Sequence, residues 1–309
     1  MSTVSPHPFL VIFALICVQV CFGANYVISK VVVTHFPPLV WASIRISIAT
    51  LVIWAFNLIF RRQSMPKLDR EYLLPMVGFA LLGTILNQVT FLMGLSMTTS
   101  TNSAILNTMI PVATLAIVTM RGQESLTANR ALGFVLALTG VLSIRKIENF
   151  QLTDQTFIGD LLNLANCIFY AFFLSFSKKF MEKYDAFWTT AFLFLYGSIG
   201  ITLISIPSWS GFVMPEMTTE LKNASLFAVV FGTLVPYFLN FWALRHARSS
   251  QVALFIYVQP IVASFIAWKW YSEVITTRTV LSSLLIFFGM LFALSKAKPK
   301  NIPPQVSSE

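Results

Sequence analysis

Charge is what this sequence has least of. Charged residues fill 11% of its 309 positions, against about 25% in soluble domains. That deficit excludes a water-facing surface, and the mean hydropathy of +0.76 agrees. Histidine and cysteine are sparse as well. His7, His35 and His246 are scattered without metal-ligand spacing. Cys17, Cys21 and Cys167 all lie inside apolar runs, so no disulfide framework is implied. Cys17 and Cys21 share a helix face and read as small packing residues. There is no Walker A sequence, and nothing calls for a cofactor, a metal or enzyme chemistry. The net charge of +9 does not point to nucleic acid, because the basic residues sit at the ends of apolar segments.

What the sequence has instead is long apolar runs. Crossing the hydrocarbon core as a helix takes about 20 apolar residues. Ten segments qualify: 9–33, 38–60, 72–96, 100–120, 127–145, 157–180, 186–207, 224–244, 249–270 and 276–295. The first is too long for a signal h-region and lacks a basic lead, so it is expected to remain as a membrane helix. The spacing therefore predicts an all-α integral membrane protein of ten transmembrane helices. With the N-terminus inside, the inner connections and tail carry fourteen lysines and arginines and the outer connections five. That bias predicts cytoplasmic termini. Residues 297–309 read as a disordered cytoplasmic tail.

The chain repeats itself. Shifted by 149 residues, Leu95 meets Leu244, Ala104 meets Ala253, Pro111 meets Pro260, Glu124 meets Glu273, Thr127 meets Thr276 and Gly140 meets Gly289. Gly83-Thr84 meets Gly232-Thr233, and Ser29-Lys30 meets Ser177-Lys178 at a shift of 148. Two five-helix units follow, spanning 9–146 and 157–296. Five is odd, so the second unit enters the membrane upside down. Inverted repeats of this kind build secondary transporters, with the substrate near the midplane between the halves.

Several helices carry polar faces in mid-run. Helix 1 has Gln19, Gly23, Asn25, Tyr26 and Lys30. Helix 3 has Gly83, Asn87 and Gln88; helix 4 has Ser100, Ser103 and Asn107. Helix 6 has Asn163, Asn166 and Tyr170; helix 8 has Thr233, Tyr237 and Asn240; helix 9 has Tyr257 and Gln259. Amides cost several kcal/mol (about 4–8 against a hydrocarbon) when unpaired in lipid. These faces are expected to point inward, either as interhelix glue or as the lining of a water-filled path. Pro111 and Pro260, at the middle of helices 4 and 9, mark a hinge or a static kink. Arg45, eight residues into helix 2, could hold a substrate carboxylate or phosphate, or equally helix carbonyls. Snorkelling accounts for Lys30. Glu124 and Glu273 read as structural acids before helices 5 and 10, where Thr127 and Thr276 suit helix entry. No acid lies at the centre of a helix. Asp160, near the outer end of helix 6, is the nearest alternative for carrying a proton.

These landmarks resemble the drug/metabolite transporter superfamily, specifically its EamA-type ten-helix members. The resemblance covers about residues 9–296. It is carried by Phe22-Gly23-Ala24-Asn25 late in helix 1, by Arg45 in helix 2, and by the stretch 94–141 with its repeat partner 243–290. Phe22 stands where tryptophan is commoner, Ile46 where an aromatic usually follows the arginine, and Gln123 and Ser272 where glycine usually precedes the glutamate. The resemblance implies a multi-pass permease of the inner (plasma) membrane, often an exporter of amino acids or related metabolites, working by alternating access. It places the cavity among helices 1, 3, 4, 6, 8 and 9. The expected substrate-binding set is Asn25, Tyr26, Arg45, Asn87, Gln88, Asn107, Asn166, Tyr170, Tyr237, Asn240, Trp242 and Tyr257. Efflux of hydrophobic drugs is the alternative that 29 phenylalanines and seven tryptophans leave open, and a ligand sensor without flux is another. Expected partners are a small-molecule substrate and the lipid bilayer; nucleic acid is not among them. Ten helices suffice for a monomer.

Overall fold

The computed structural model describes residues 7–98, 100–144, 154–271 and 277–294. Those residues form helices in ten spans. They are α1 (Pro8–His35), α2 (Pro38–Phe60), α3 (Arg70–Met97), α4 (Ser100–Leu106, resuming as Met109–Met120), α5 (Ala128–Ile144), α6 (Asp154–Lys183), α7 (Ala186–Trp209), α8 (Thr219–His246), α9 (Ser249–Leu254, running on through Gln259–Tyr271) and α10 (Thr277–Leu294). Six of them are long and apolar enough to cross a membrane by length and composition alone. The others are shorter or interrupted.

Local chemistry sets the ends. The first N–H groups of a helix lack partners in their own ladder. Asp69 accepts from the backbone N–H of Tyr72 at 2.9 Å, and Asp185 accepts from those of Phe187 and Trp188. Thr218 does the same for Leu221. Pro38 opens α2, where its fixed φ and missing donor cost nothing. Around the outside, large apolar side chains stay uncovered, Leu51 at 71% and Leu203 at 62%. In water such a surface would drive association; in lipid it is matched to its solvent.

The halves exchange with one another. α1 packs on α8 and α9, and α6 packs on α3 and α4; α2 packs on α7, and α5 on α10. Swapping the repeats converts each contact into the other or into itself. The match extends to atoms. The Lys30 ammonium donates to the carbonyl of Leu95 at 2.7 Å, and that of Lys178 to the carbonyl of Leu244 at 2.6 Å. Each lysine thus neutralises the negative end of a helix, α3 or α8. Lys30 is held there rather than simply reaching for the surface. Between α5 and α10 the backbones touch: a Cβ added at Gly289 would lie 2.5 Å from Ala137 N, and one at Gly140 2.9 Å from Ile286 N.

Four spans are irregular in mid-membrane, in two repeat-related pairs. α3 and α8 each contain a π turn, Leu81–Leu86 and Val230–Leu234. α4 breaks at Asn107 and Thr108, and α9 tightens to a 3-10 turn over Phe255–Val258. Proline explains the second pair. Pro111 cannot donate to Asn107 O four residues back, and Ile110 N takes that carbonyl at 3.0 Å. Pro260 stands in the same relation to Ile256. Glu273, Thr276 and residues 297–309 lie outside the described residues.

Candidate functional site

A cavity, about 640 Å³ when the open space at its mouth is counted, lies where the irregular helices meet. Seven spans line it. α1 contributes Gln19, Phe22, Asn25 and Tyr26, and α2 contributes Arg45. From α3 come Asn87, Gln88 and Phe91, and from the break in α4 come Asn107 and Ile110. α6 supplies Asn166, Tyr170 and Leu174; α8 supplies Gly232, Tyr237 and Asn240; α9 supplies Val252, Ile256 and Gln259. Amides and phenols form one part of the wall and apolar side chains the rest.

The polar side chains bond across the two halves. Asn166 Nδ2 donates to the carbonyl of Asn87 at 2.8 Å, and Gln259 Nε2 donates to Gln19 Oε1 at 2.6 Å. Tyr26 Oη donates to Gln259 Oε1 at 3.0 Å. Within the second half, Asn240 Nδ2 donates to Tyr170 Oη at 2.6 Å. A chain of bonds begins at Arg45, which donates to Gln88 Oε1. Gln88 Nε2 then donates to Tyr237 Oη at 2.5 Å, and Tyr237 donates to the carbonyl of Gly83 at 3.3 Å. Gln88 and Tyr237 are 149 residues apart. They occupy the same repeat position, so their bond sits on the pseudo-two-fold axis. Arg45 bonds an amide, not the helix carbonyls that sequence left open.

Two π turns bring these groups together. A Cβ at Gly83 would fall 2.5 Å from the Phe173 ring, and one at Gly232 would fall 2.2 Å from Asn25 Oδ1. Only glycine allows that approach. Phe173 and Asn25 are themselves repeat-related at the 148 shift. The paired Gly-Thr steps were the sequence signal for this device.

Of the twelve residues expected to bind, ten line the cavity. Trp242 and Tyr257 do not. Trp242 follows Asn240 by two residues, which on a helix turns it about 200° away; its ring lies against His246 instead. Tyr257 sits in the 3-10 turn and packs on Phe134, fully buried. The tighter turn shifts its direction from that of an α-helix. Gln19 and Gln259 line the cavity although the expected set lacked them. Asp160 is buried in α6 away from it.

A second polar cluster ties the halves at the face where α1 begins. The Glu124 carboxylate accepts from Ser250 N at 3.2 Å, from Ser250 Oγ at 2.5 Å, and from Arg130. Arg130 also donates to Ser250 Oγ and to Ser125 O. Glu124 therefore joins the start of α9 to the first turn of α5 through Arg130, and Thr127 Oγ1 accepts from Arg130 N. Nearby, Arg61 pairs with Asp185 at 2.8 Å. Among the described residues no group of histidine, cysteine and acids is arranged to hold a metal.

Comparison with known proteins places the chain in a lineage. The model of the EamA-like transporter family matches residues 9–145 and again 157–295. The transporter YoaV of Bacillus subtilis is 22% identical over 93% of this chain and 99% of its own. A WAT1-related protein of Arabidopsis thaliana is 26% identical over 90% of this chain and 84% of its own. An Archaeoglobus fulgidus protein, also named a transporter, is 23% identical over 89% and 94%. One crystal structure superposes on 92% of this chain and 95% of its own with a TM-score of 0.73 at 13% identity, which shows the shared fold. With two copies of one five-helix unit, a hollow between them and a family match to each copy, this chain belongs to the EamA-like transporter family of the drug/metabolite transporter superfamily.

Proposed function

We propose that this protein exports amino acids or related small polar metabolites by alternating access, as a monomer in the inner (plasma) membrane with both termini in the cytoplasm. The carrying observation is the cavity itself, lined by amides and phenols from both inverted halves, with the Gln88–Tyr237 bond joining those halves in its wall. A solute bound there touches elements of both repeats. Exchange of the two repeat conformations then moves its exit from one face to the other. The Glu124–Arg130–Ser250 cluster and the Arg61–Asp185 pair join the halves at the face where α1 begins. Positive-inside bias makes that face cytoplasmic, and the arrangement corresponds to a state closed toward it. The interrupted helices at Pro111 and Pro260 supply the flexing points. Asn25, Asn87, Asn107, Asn166, Tyr170 and Asn240 bind the polar groups of the solute.

The test is counterflow in proteoliposomes. Vesicles loaded with unlabelled amino acids should accumulate the labelled compound against its gradient, and an overexpressing strain should resist toxic amino-acid analogues. Resistance to hydrophobic drugs alone would favour efflux of such compounds. Saturable binding with no counterflow would indicate a sensor.

A further inference from the structure

We infer that the transported solute carries a single carboxylate whose charge is met by Arg45, and that solutes of net positive charge are excluded. The inference rests on the transport reading above and narrows it from polar metabolites to organic monoacids, with zwitterions tolerated.

Arg45 is 1% exposed. Guanidinium stays protonated under all biological conditions, so its charge sits inside the membrane whatever the solute. It has five N–H donors. One nitrogen donates to Gln88, while Nε and the other terminal nitrogen have no protein partner. Gln88 is engaged at both ends: its oxygen accepts from Arg45 and its nitrogen donates to Tyr237, whose hydroxyl donates to the Gly83 carbonyl. Every link in that chain is neutral. Among the described residues no carboxylate lies within ion-pair distance of Arg45, and Arg45 is the only charged side chain lining the cavity. A buried cation without a counter-charge is costly. A carboxylate answers it with planar, two-oxygen geometry matched to the guanidinium fork.

The count of charges selects the class. A phosphate monoester brings about −1.5 to −2, which one guanidinium leaves uncompensated in a wall of amides. A monocarboxylate balances it. The rest of such a solute has an apolar wall available in Phe22, Phe91, Ile110 and Val252. Cations meet a repulsive guanidinium and no acid.

The experiment uses the whole protein in proteoliposomes and two matched sets of probes. One is 4-methylpentanoate, leucine, leucinamide and 4-methylpentanamide. The other is 3-phenylpropanoate, phenylalanine, phenylalaninamide and 3-phenylpropanamide, with phenyl phosphate as a dianion. Counterflow and thermal stabilisation are read for each. Carboxylates should exceed their matched amides and cations by at least tenfold in both readouts. Arg45→Gln should abolish that preference, and Arg45→Lys should keep part of it. If amides, cations or the dianion move as well as the monoacids, the inference is overturned while transport stands. The same holds if a folded Arg45→Gln keeps the preference. If Arg45→Gln does not fold, the ranking measured on the parent protein decides. If the reconstituted, folded parent moves no probe in either set, the transport reading fails and takes this inference with it.

Discussion

Replacing Glu124 by glutamine removes one charge from a pair whose side chains are each 7% exposed. Gln keeps the shape and can still accept from Ser250 N. Its amide nitrogen, however, presents donors to Arg130, itself only a donor, and leaves the Ser250 hydroxyl proton without the carboxylate acceptor. Arg130 then keeps only Ser125 O and the hydroxyl as partners, with its charge unopposed. Breaking a buried pair on one side costs about 3–5 kcal/mol. The low end, ~3 kcal/mol, is expected because the cluster lies toward a membrane face. That corresponds to about 150-fold in an equilibrium constant. Removing both charges together, Glu124→Leu with Arg130→Met, should recover most of the loss, because no ion remains to desolvate. Unfolding of the purified protein in mixed micelles measures the parent, Glu124→Leu, Arg130→Met and the double variant, the four corners of the cycle. The expected coupling is at least ~2 kcal/mol, within the range seen for contacting groups. Additive losses, or a single variant as stable as the parent, would refute the view that the two charges compensate one another.

Three further outcomes follow from the packing and the bonds. Gly289→Ala should destabilise by about 1–3 kcal/mol, because its Cβ meets backbone, which cannot rotate away; a lowered melting temperature in detergent is the check. Lys30→Met and Lys178→Met should each lose about 1.5–3 kcal/mol, the value of hydrogen bonds from a charged donor; Lys178 also pairs with Glu182, so a clearly smaller loss at Lys178 than at Lys30 in chemical denaturation would sink the equivalence of the two carbonyl sites. Asn240→Leu removes the donor to Tyr170 and a polar group from the cavity wall. Flux should fall at least tenfold while the fold survives, and unchanged flux in a folded variant would move the site elsewhere.

Much of this was legible because a membrane narrows the choices. Apolar length fixed the spans, and the 149-residue register revealed the halves before any coordinate. Polar residues at helical spacing pointed to one interior, and ten of the twelve chosen positions line the hollow. The two positions that lie off the cavity do so for local causes. Trp242 was chosen for its chemistry although its angle from Asn240 turns it aside. Tyr257 was placed as if α9 were uniformly helical, and the 3-10 turn before Pro260 alters its direction. The π turns were marked by matched Gly-Thr steps, yet a change of helix type leaves no pattern that periodicity detects. The Glu124–Ser250 tie joins residues 126 apart, and nothing local announces such a partner. Gln19 and Gln259 were visible as polar but gained importance only once paired with each other.

The bond between Gln88 and Tyr237 has one further meaning. Were the halves identical, the axis would pass between two copies of one residue, and inward- and outward-facing forms would be related by the two-fold rotation and equal in energy. Here an amide faces a phenol, and Arg45 is matched by Leu193 at the 148 shift. Such mismatches are the places where the degeneracy is lifted. The resting preference of the carrier, and with it the ease of loading from one side, is written in the cavity-lining sites where its two copies differ.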